Sequence, residues 1–257
     1  MIKNIIVIGS GKGGVGKSTI SVNLSITLSK YYNYKVGLLD ADIYGPSVPN
    51  LLGIKSKPST NNKKIVPYDS FNIKSMSIGN MIPDNSAVIW RGAMVSSAIK
   101  QLYNDVDWGD LDYLIVDLPP GTGDIQLSLS QYLRISGSVI VSTPQEISLI
   151  DVRKAISMFQ KVKIPILGLV QNMSYLEVNG KKEYIFGKDG VLNESKKLKI
   201  PLLGDLPILS NIAKCSDDGK PAVIDSKSLA TKEFKKITEN LIASQNNNLS
   251  EEVEIRN

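Results

Sequence analysis

The sequence contains no histidine and a single cysteine, Cys215, and these scarcities exclude several kinds of chemistry. One cysteine cannot form a disulfide within the chain, and a zinc site of histidines and cysteines within one chain is equally excluded. A Ser-His-Asp triad is excluded as well, because its general base is an imidazole. Proton transfer must therefore fall to carboxylates, lysines, tyrosines or water. We interpret Cys215 as a small packing residue.

Long apolar runs and concentrated charge are also absent. No run reaches the ~20 apolar residues that a membrane-spanning helix needs, and no signal-peptide cleavage pattern follows the first apolar segment, residues 5–8. The net charge of +5 is mild, and the lysines occur in ones and twos rather than in a nucleic-acid footprint. We therefore expect a cytoplasmic protein, with neither a membrane nor a nucleic acid as its partner.

Short, nearly all-apolar runs alternate with helical patterns along the chain. Such runs predict strands buried on both faces, and they occupy residues 5–8, 36–39, 113–116, 138–141 and 166–170. Helices are predicted at residues 17–30 and 148–161, where apolar residues recur at steps of three and four. This alternation predicts an α/β fold, a doubly wound and mostly parallel sheet with helices on both faces.

The chain reads as one P-loop domain over residues 1–243. A surface excursion rich in Lys, Ser, Asn and Pro is predicted at residues 53–69. The last helix is predicted at about residues 228–243. From residue 244 to 257 the chain is polar, with three consecutive asparagines followed by glutamates, and this composition predicts a disordered tail.

A glycine-rich segment directly follows the first predicted strand and precedes a predicted helix. It fits the pattern G-x-x-x-x-G-K-[ST] in the context that its mechanism requires. The glycines let backbone N–H groups turn inward around phosphates, and the positive end of the helix faces the same anion. We therefore predict an ATP and Mg²⁺ site formed by Gly11, Lys12, Gly13, Gly14, Val15, Gly16, Lys17, Ser18 and Thr19. Lys17 is expected to reach the β- and γ-phosphates, and the hydroxyl of Ser18 is expected to bind Mg²⁺.

Three aspartates follow predicted strands at the carboxyl edge of the sheet. Asp40 and Asp42 come after residues 36–39, and Asp117 ends the strand of residues 113–116. Doubly wound folds bind ligands at this edge. Asp117 is therefore a candidate to hold Mg²⁺ through water, and a carboxylate such as Asp42 suits the positioning of water. The alternative for each aspartate is a helix N-cap.

An asparagine follows the fifth predicted strand at the same edge. The amide of Asn172 can donate and accept hydrogen bonds along the edge of an adenine base. Its alternative is an ordinary turn residue. Pro207, in the string Leu-Pro-Ile, is a second candidate for the base pocket, with an ordinary loop proline as its alternative.

The second lysine of the glycine-rich loop, Lys12, adds a resemblance to known proteins. The string of residues 12–19 resembles the deviant Walker A sequence of the MinD, ParA and nitrogenase-iron-protein class. The resemblance implies a homodimer in which Lys12 reaches the partner's nucleotide and stabilises the transition state together with Lys17. It also implies that Asp42 orients the attacking water and Asp40 supports the magnesium shell. In that class, Asn172 would contact adenine and Pro207 would pack on the base.

Further strings are similar to those of Mrp-type ATPases, which carry iron–sulfur clusters. They are DADIYGPS at residues 40–47, IWRG at residues 89–92, DLPPGTGD at residues 117–124 and DGKP at residues 218–221. The resemblance covers roughly residues 3–242. It implies a homodimeric ATPase that binds an iron–sulfur cluster and passes it to apoproteins.

The chain departs from Mrp-type ATPases at the segment that usually carries a Cys-x-x-Cys pair. The flanking Met-Ser-Tyr and Phe-Gly strings are present at residues 173–175 and 186–187, but no cysteine lies between them. Instead, Asn179-Gly180 predicts a two-residue turn that joins residues 175–178 and 181–185 in a hairpin. We therefore expect the isolated protein to hold no stable cluster. Two alternatives stay open, a ParA- or MinD-like positioning switch and an ATPase scaffold that holds no cluster.

Overall fold

The computed structural model describes residues 1–81 and 92–256. The strands of this part of the chain are β1 (Ile2–Ser10), β2 (Val36–Asp40), β3 (Thr60–Asn61), β4 (Lys64–Ile65), β5 (Tyr68–Ser70), β6 (Ile73–Ser77), β7 (Leu111–Asp117), β8 (Gly137–Ser142), β9 (Ile166–Gln171), β10 (Leu176–Val178), β11 (Lys181–Glu183) and β12 (Leu202–Asp205). Its helices are α1 (Lys17–Tyr32), α2 (Val48–Leu51), α3 (Gly92–Asp105), α4 (Asp124–Tyr132), α5 (Glu146–Lys161), α6 (Gly190–Leu198), α7 (Ser210–Asp217) and α8 (Leu229–Arg256). Residues 89–91 of the IWRG string lie outside the described residues.

Eight strands form the central sheet in the order β12-β9-β8-β1-β7-β2-β6-β5. Every neighbouring pair is parallel except β5 with β6, at one edge. The predicted mostly parallel, doubly wound α/β fold is therefore confirmed. β1 lies between β7 and β8, so the loop after β1 leaves from the middle of the carboxyl edge. Doubly wound sheets bind their ligands at such a position.

Each face of the sheet is covered by helices, as alternate residues of β1 show. Ile6 and Ile8 belong to a buried cluster that includes residues of α1 and α8, whereas Ile5 and Val7 belong to a second cluster with residues of α3 and α5. Burying one such aliphatic side chain contributes about 1.5–3 kcal/mol. The two clusters fix the strands between two helical layers, and this holds the carboxyl edge rigid.

The excursion predicted at residues 53–69 contains the small β3–β4 hairpin and leads into β5. The antiparallel pair of β5 with β6 was not predicted from the sequence. Lys74 and Ser75 interrupt the apolar run of β6, so this strand lacks the pattern of its neighbours.

The last helix is longer than the sequence predicts. α8 continues to Arg256, whereas the composition predicts a disordered tail from residue 244. Its polar side chains find partners, because Ser244 Oγ donates to the carbonyl of Leu167 at 2.6 Å and Gln245 Nε2 donates to Asn4 Oδ1 at 2.7 Å. Among the helices that the structure describes, none is both long and apolar enough to cross a membrane.

Candidate nucleotide-binding site

The glycine-rich loop joins the end of β1 to the start of α1 in a conformation that needs glycine. Gly14 and Gly16 have φ values of 77° and 84°, in the left-handed region. A Cβ on Gly16 would also lie 2.2 Å from Asn172 Nδ2, so space and conformation both exclude a side chain there. Ser10 Oγ donates to the carbonyl of Lys12 at 2.9 Å and braces the turn.

The loop encloses one side of a cavity of about 420 Å³. The opposite side comes from the loops after β2 and β7. The lining residues are Ser10, Lys12, Gly13, Gly14, Val15, Gly16, Lys17, Ser18, Thr19, Asp42, Tyr44, Gly45, Ser47, Leu51 and Pro120. Gly11 differs from the other predicted loop residues, because it packs against Asp151 behind the loop, where a Cβ would lie 2.4 Å from the Asp151 backbone.

Lys17 is buried beneath this cavity between two of the predicted carboxylates. Its Nζ lies 3.0 Å from Asp117 Oδ1 and 3.3 Å from Asp42 Oδ2. Ser21 Oγ donates to the same Asp117 oxygen at 2.7 Å. The structure therefore brings together the lysine and the two aspartates that the sequence assigns to the phosphates, the metal and the water.

The second carboxylate oxygen of Asp117, Oδ2, indicates whether the site fits Mg²⁺. Asp117 is fully buried, and its Oδ2 has no hydrogen-bond partner within the described parts of the chain. A buried carboxylate oxygen without a partner is costly, and a hard cation with oxygen ligands removes that cost. The hydroxyl of Ser18 lines the cavity and is an oxygen ligand of the same kind. These donors fit Mg²⁺.

Asp40 is fully buried, and its oxygens already accept hydrogen bonds. Oδ1 accepts from the N–H of Asp42 at 3.1 Å, and Oδ2 accepts from the N–H of Val48 at 3.2 Å and from Ser77 Oγ at 2.9 Å. Burial, and then the charge of Asp117, raises the pKa of Asp40 to about 7. The geometry favours a role in holding the loop after β2 over the expected role in the magnesium shell.

Asp42 lies where that loop meets the cavity. Its Oδ1 accepts from the N–H of Tyr44 at 3.2 Å, and its Oδ2 faces Lys17. Burial raises the pKa of Asp42, although the positive charge of Lys17 partly opposes this rise. A carboxylate at this position can accept a hydrogen bond from a water molecule in the cavity.

A second cavity, of about 390 Å³, shares Gly16 and Thr19 with the first. Asn172 and Pro207, the two residues predicted for the base, both line it, and most of its other lining is apolar. Asn172 Nδ2 donates to the carbonyl of Val15 at 2.8 Å, so this side chain also holds the glycine-rich loop. The first cavity offers Lys17, Ser18 and the glycine-rich loop for phosphates, and the second offers mostly apolar walls for a base.

Lys12 lies on the rim of the first cavity and is half-exposed. Its Nζ is 3.5 Å from Gln145 Oε1, just before α5. Two large apolar side chains near Lys12 or its contact are exposed. Tyr44 lines the same cavity and is 73% exposed, and Ile147, two residues after Gln145, is 67% exposed. The expected contact of Lys12 with the nucleotide of a second chain stays a prediction.

Comparison with known proteins agrees with this geometry. Residues 1–242 match the ParA-type family described as the NUBPL iron-transfer P-loop NTPase. The chain belongs to the NUBPL family of P-loop NTPases. The Mrp-type resemblance is confirmed at the level of the family, because the relatives include proteins named as iron–sulfur cluster carriers.

Two relatives illustrate the extent of the similarity. The chain is 46% identical over 245 residues to the Arabidopsis thaliana iron–sulfur protein required for NADH dehydrogenase, mitochondrial, covering 94% of this chain and 78% of the relative. It is 47% identical over 228 residues to the iron–sulfur cluster carrier protein of Aquifex aeolicus, covering 87% of this chain and 62% of the relative. The chain therefore spans less than two thirds of the bacterial carrier.

Solved structures show the same fold. A nucleotide-binding protein of Archaeoglobus fulgidus in complex with ADP is 40% identical, with a TM-score of 0.75, covering 85% of this chain and 87% of that one. The septum site-determining protein MinD of Pyrococcus horikoshii, complexed with Mg-ADP, is 23% identical with a TM-score of 0.70, covering 94% and 96%. At that identity the MinD likeness shows the fold alone.

The segment where Mrp-type ATPases usually carry cysteines is a hairpin in this NUBPL-family chain. β10 and β11 pair antiparallel, and Asn179 and Gly180 have φ values of 53° and 74°. The predicted two-residue turn with positive φ at both positions is therefore confirmed. Cys215 lies elsewhere, on α7, and is half-buried. Within the described ranges, no group of three or more His, Cys, Asp or Glu side chains is placed to hold a metal ion.

Sequence reasoning missed two hydroxyl groups that position the site's carboxylates, Ser21 on Asp117 and Ser77 on Asp40. Ser21 follows Lys17 by four residues, which places both on one face of α1, and that spacing was a usable signal. Ser77 ends β6, the strand that the sequence did not predict, so no signal pointed to it.

Proposed function

We propose that this NUBPL-family protein is a Mg²⁺-dependent ATPase that acts in iron–sulfur cluster assembly without holding the cluster on its own hairpin. The observation that carries the ATPase proposal is the buried group of Lys17, Asp42 and Asp117 beside the cavity that the glycine-rich loop encloses. The adjoining apolar cavity with Asn172 and Pro207 supports an adenine nucleotide as the ligand.

The side chains of the site suggest how hydrolysis proceeds. Lys17 exchanges its contacts with Asp42 and Asp117 for the β- and γ-phosphates, and this exchange frees Asp42 to orient the attacking water. The N–H groups of the glycine-rich loop stabilise the charge that develops on the phosphate oxygens. Ser18, and Asp117 through water, would hold Mg²⁺, which neutralises charge on the phosphates when it is bound.

A homodimer is the second part of the proposal. Lys12 lies on the cavity rim and is half-exposed, and within the described residues its Nζ makes one long contact, with Gln145, so its ammonium group is accessible to a second copy. Tyr44 and Ile147 are exposed apolar side chains that the dimer would cover. In the dimer, Lys12 would reach the partner's nucleotide, as the deviant Walker A resemblance implies.

The role in cluster assembly rests on the relatives, several of which are named as iron–sulfur cluster carrier or transfer proteins. A cluster is commonly held by four thiolates, and this chain contains one cysteine and no histidine. We therefore propose that a client or assembly partner supplies most of the thiolates, and that ATP-driven changes in the dimer act on that complex. The expected cytoplasmic location stays a prediction, because one relative is named as mitochondrial.

A positioning switch like MinD or ParA receives no specific support, since those likenesses are at the level of fold. The direct test of the proposal is phosphate release by the purified chain with ATP and Mg²⁺, against the same mixture with a chelator. Release that requires both the protein and Mg²⁺ supports the ATPase. Tight ATP binding without any release would reduce the proposal to a nucleotide-binding scaffold.

A further inference from the structure

Two apolar residues of the hairpin segment lie in the wall of the base cavity. Ile185 and Phe186 follow β11 directly and line the cavity together with Asn172 and Pro207. Neither residue belongs to a nucleotide-binding motif of the sequence. The segment after β11 therefore has one end in the hairpin and the other at the nucleotide site.

Backbone hydrogen bonds tie the start of the hairpin to the opposite wall of this cavity. The N–H of Ile208 donates to the carbonyl of Tyr175 at 2.7 Å, and the N–H of Ser174 donates to the carbonyl of Leu206 at 2.9 Å. Leu176, the first residue of β10, also forms a parallel bridge with Ile208. The hairpin thus begins on one wall of the cavity and ends on another.

Part of the apolar wall of this cavity is open to solvent. Ile185 is 57% exposed and Phe186 is half-buried, whereas Phe234 of the same lining is fully buried. A planar base that enters this cavity would cover the exposed apolar surface of Ile185 and Phe186. Aromatic and aliphatic walls of this kind are typical of base pockets.

We propose that Ile185 and Phe186 contact the nucleotide base, so that the bound nucleotide fixes the position of the β10–β11 hairpin. This inference rests on the proposed binding of ATP and extends it. The hairpin occupies the segment that carries cysteines in Mrp-type ATPases. Binding of a nucleotide thereby affects the hairpin, which is the segment that corresponds to the cluster-binding segment of those ATPases.

The first test separates contacts to the base from contacts to the phosphates. Ile185→Ala and Phe186→Ala are titrated calorimetrically with ADP and with inorganic tripolyphosphate, which has no base. We expect Phe186→Ala to weaken ADP binding by roughly 5- to 150-fold, the range found when an aromatic side chain that stacks on a base is truncated. Ile185→Ala should weaken it in the same direction by a smaller factor. Tripolyphosphate binding stays at the wild-type value. Lys181→Ala, on the same hairpin but outside the cavity lining, is the matched control and leaves both affinities unchanged.

Two results would overturn the inference. One is unchanged ADP affinity in both variants, and the other is an equal loss for ADP and tripolyphosphate, which would indicate a general disturbance of the fold. If the wild-type chain bound no adenine nucleotide, the proposed function would fail together with this inference. If it bound ADP and both variants matched it, the proposed function would stand and only this inference would fail.

A second measurement follows the hairpin itself by hydrogen exchange of its backbone amides. ADP is expected to slow exchange in β10 and β11 of the wild-type chain, and Phe186→Ala is expected to remove most of that protection. Tripolyphosphate should slow exchange only in the glycine-rich loop. Protection of the loop by ADP without any change in the hairpin would contradict transmission through the base.

Discussion

Nζ of Lys17 lies 3.0 Å from Oδ1 of Asp117, with both side chains buried beneath the phosphate cavity. The lysine that should bind phosphate is therefore paired with the carboxylate that should hold the metal. Buried charges need such a partner, and removing one partner of a buried pair costs about 3–5 kcal/mol. When phosphate and Mg²⁺ bind, Lys17 and Asp117 must therefore exchange their contact with each other for contacts with these ligands. Binding of phosphate by Lys17 is thus coupled to binding of the metal by Asp117.

Replacement of Lys17 tests this coupling. Lys17→Ala should abolish hydrolysis and greatly weaken ATP binding, because the charge on the β- and γ-phosphates is lost. It should also lower the free energy of unfolding by about 3 kcal/mol, because Asp117 and Asp42 stay buried without a cation. Titration with a fluorescent ATP analogue and urea unfolding measure the two effects. Lys3→Ala, which breaks an exposed ion pair with Asp112, is the control and should change neither. Unchanged affinity in Lys17→Ala would refute the phosphate assignment.

Asp42 should separate binding from chemistry. Asp42→Ala is expected to bind Mg-ATP but to release phosphate about 100-fold or more slowly, because the group that positions water is lost. Lys17 keeps its contact with Asp117 in this variant. Asp42→Asn keeps the shape of the side chain and its contact with the N–H of Tyr44, so it should fold as the wild type does. Single-turnover phosphate release with radiolabelled ATP gives the chemical rate. A wild-type rate in both variants would assign water positioning to another group.

Lys12 should matter only when two chains meet. Lys12→Ala is expected to keep the ATP affinity of one chain and to lose hydrolysis in the ATP-bound dimer, because the transition state lacks the partner's positive charge. Phosphate release per chain is measured across a dilution series, with sedimentation to follow assembly. If the wild-type rate per chain were independent of concentration while the protein stayed monomeric, the role across the dimer would be wrong.

The parts of the site that the sequence predicts are those encoded by contiguous residues. The loop from Gly11 to Ser18 lies between an apolar strand and a periodic helix, and Asn179-Gly180 encodes its own turn, so both follow from local chemistry. Contacts between distant segments are different. The bond from Ser21 to Asp117 joins residues 96 positions apart, and the wall residue Phe186 reaches the base cavity only because the chain folds back. No local pattern carries such information.

The same limit explains the two places where the fold differs from what the local sequence suggests. β6 has a lysine and serines in an interrupted apolar run, and its pairing with β2 depends on a crossover through the excursion. The polar end of α8 resembles a tail by composition, but Ser244 and Gln245 are held by Leu167 and Asn4 from distant strands. In both places tertiary hydrogen bonds override the local composition.

Asp40 provides a test of its role in holding the loop after β2. Asp40→Ala removes the acceptor of three hydrogen bonds inside the protein, so the free energy of unfolding should fall by roughly 2–4 kcal/mol. Ser77→Ala removes one of these bonds and should cost about 1 kcal/mol. Urea unfolding measures both. A loss of Mg²⁺ affinity in Asp40→Ala without any loss of stability would instead support the magnesium-shell role.

The last prediction concerns the cluster, where the family and the ligands of this chain disagree. The relatives are named as cluster carriers, and a carrier dimer with one Cys-x-x-Cys pair per chain would supply the four thiolates that a cluster commonly needs. This chain contains Cys215 alone and no histidine, so two copies supply two thiolates at most. Carboxylates are weak substitutes because iron–sulfur clusters favour soft thiolate ligands.

We therefore expect the isolated wild-type protein to hold no stable cluster after reconstitution with iron and sulfide in the absence of oxygen. Visible absorption and iron and sulfide analysis after gel filtration are the measurements. The matched gain-of-function variant replaces Val178 and Lys181, the cross-strand pair on either side of the turn, with cysteines. This gives the missing Cys-x-x-Cys spacing while keeping the Asn179-Gly180 turn, and only this variant should retain iron. If the wild-type chain retained stoichiometric iron and sulfide, and Cys215→Ser lost them, Cys215 would be a cluster ligand. The protein would then hold a cluster without thiolates from a partner, and the proposal would be wrong.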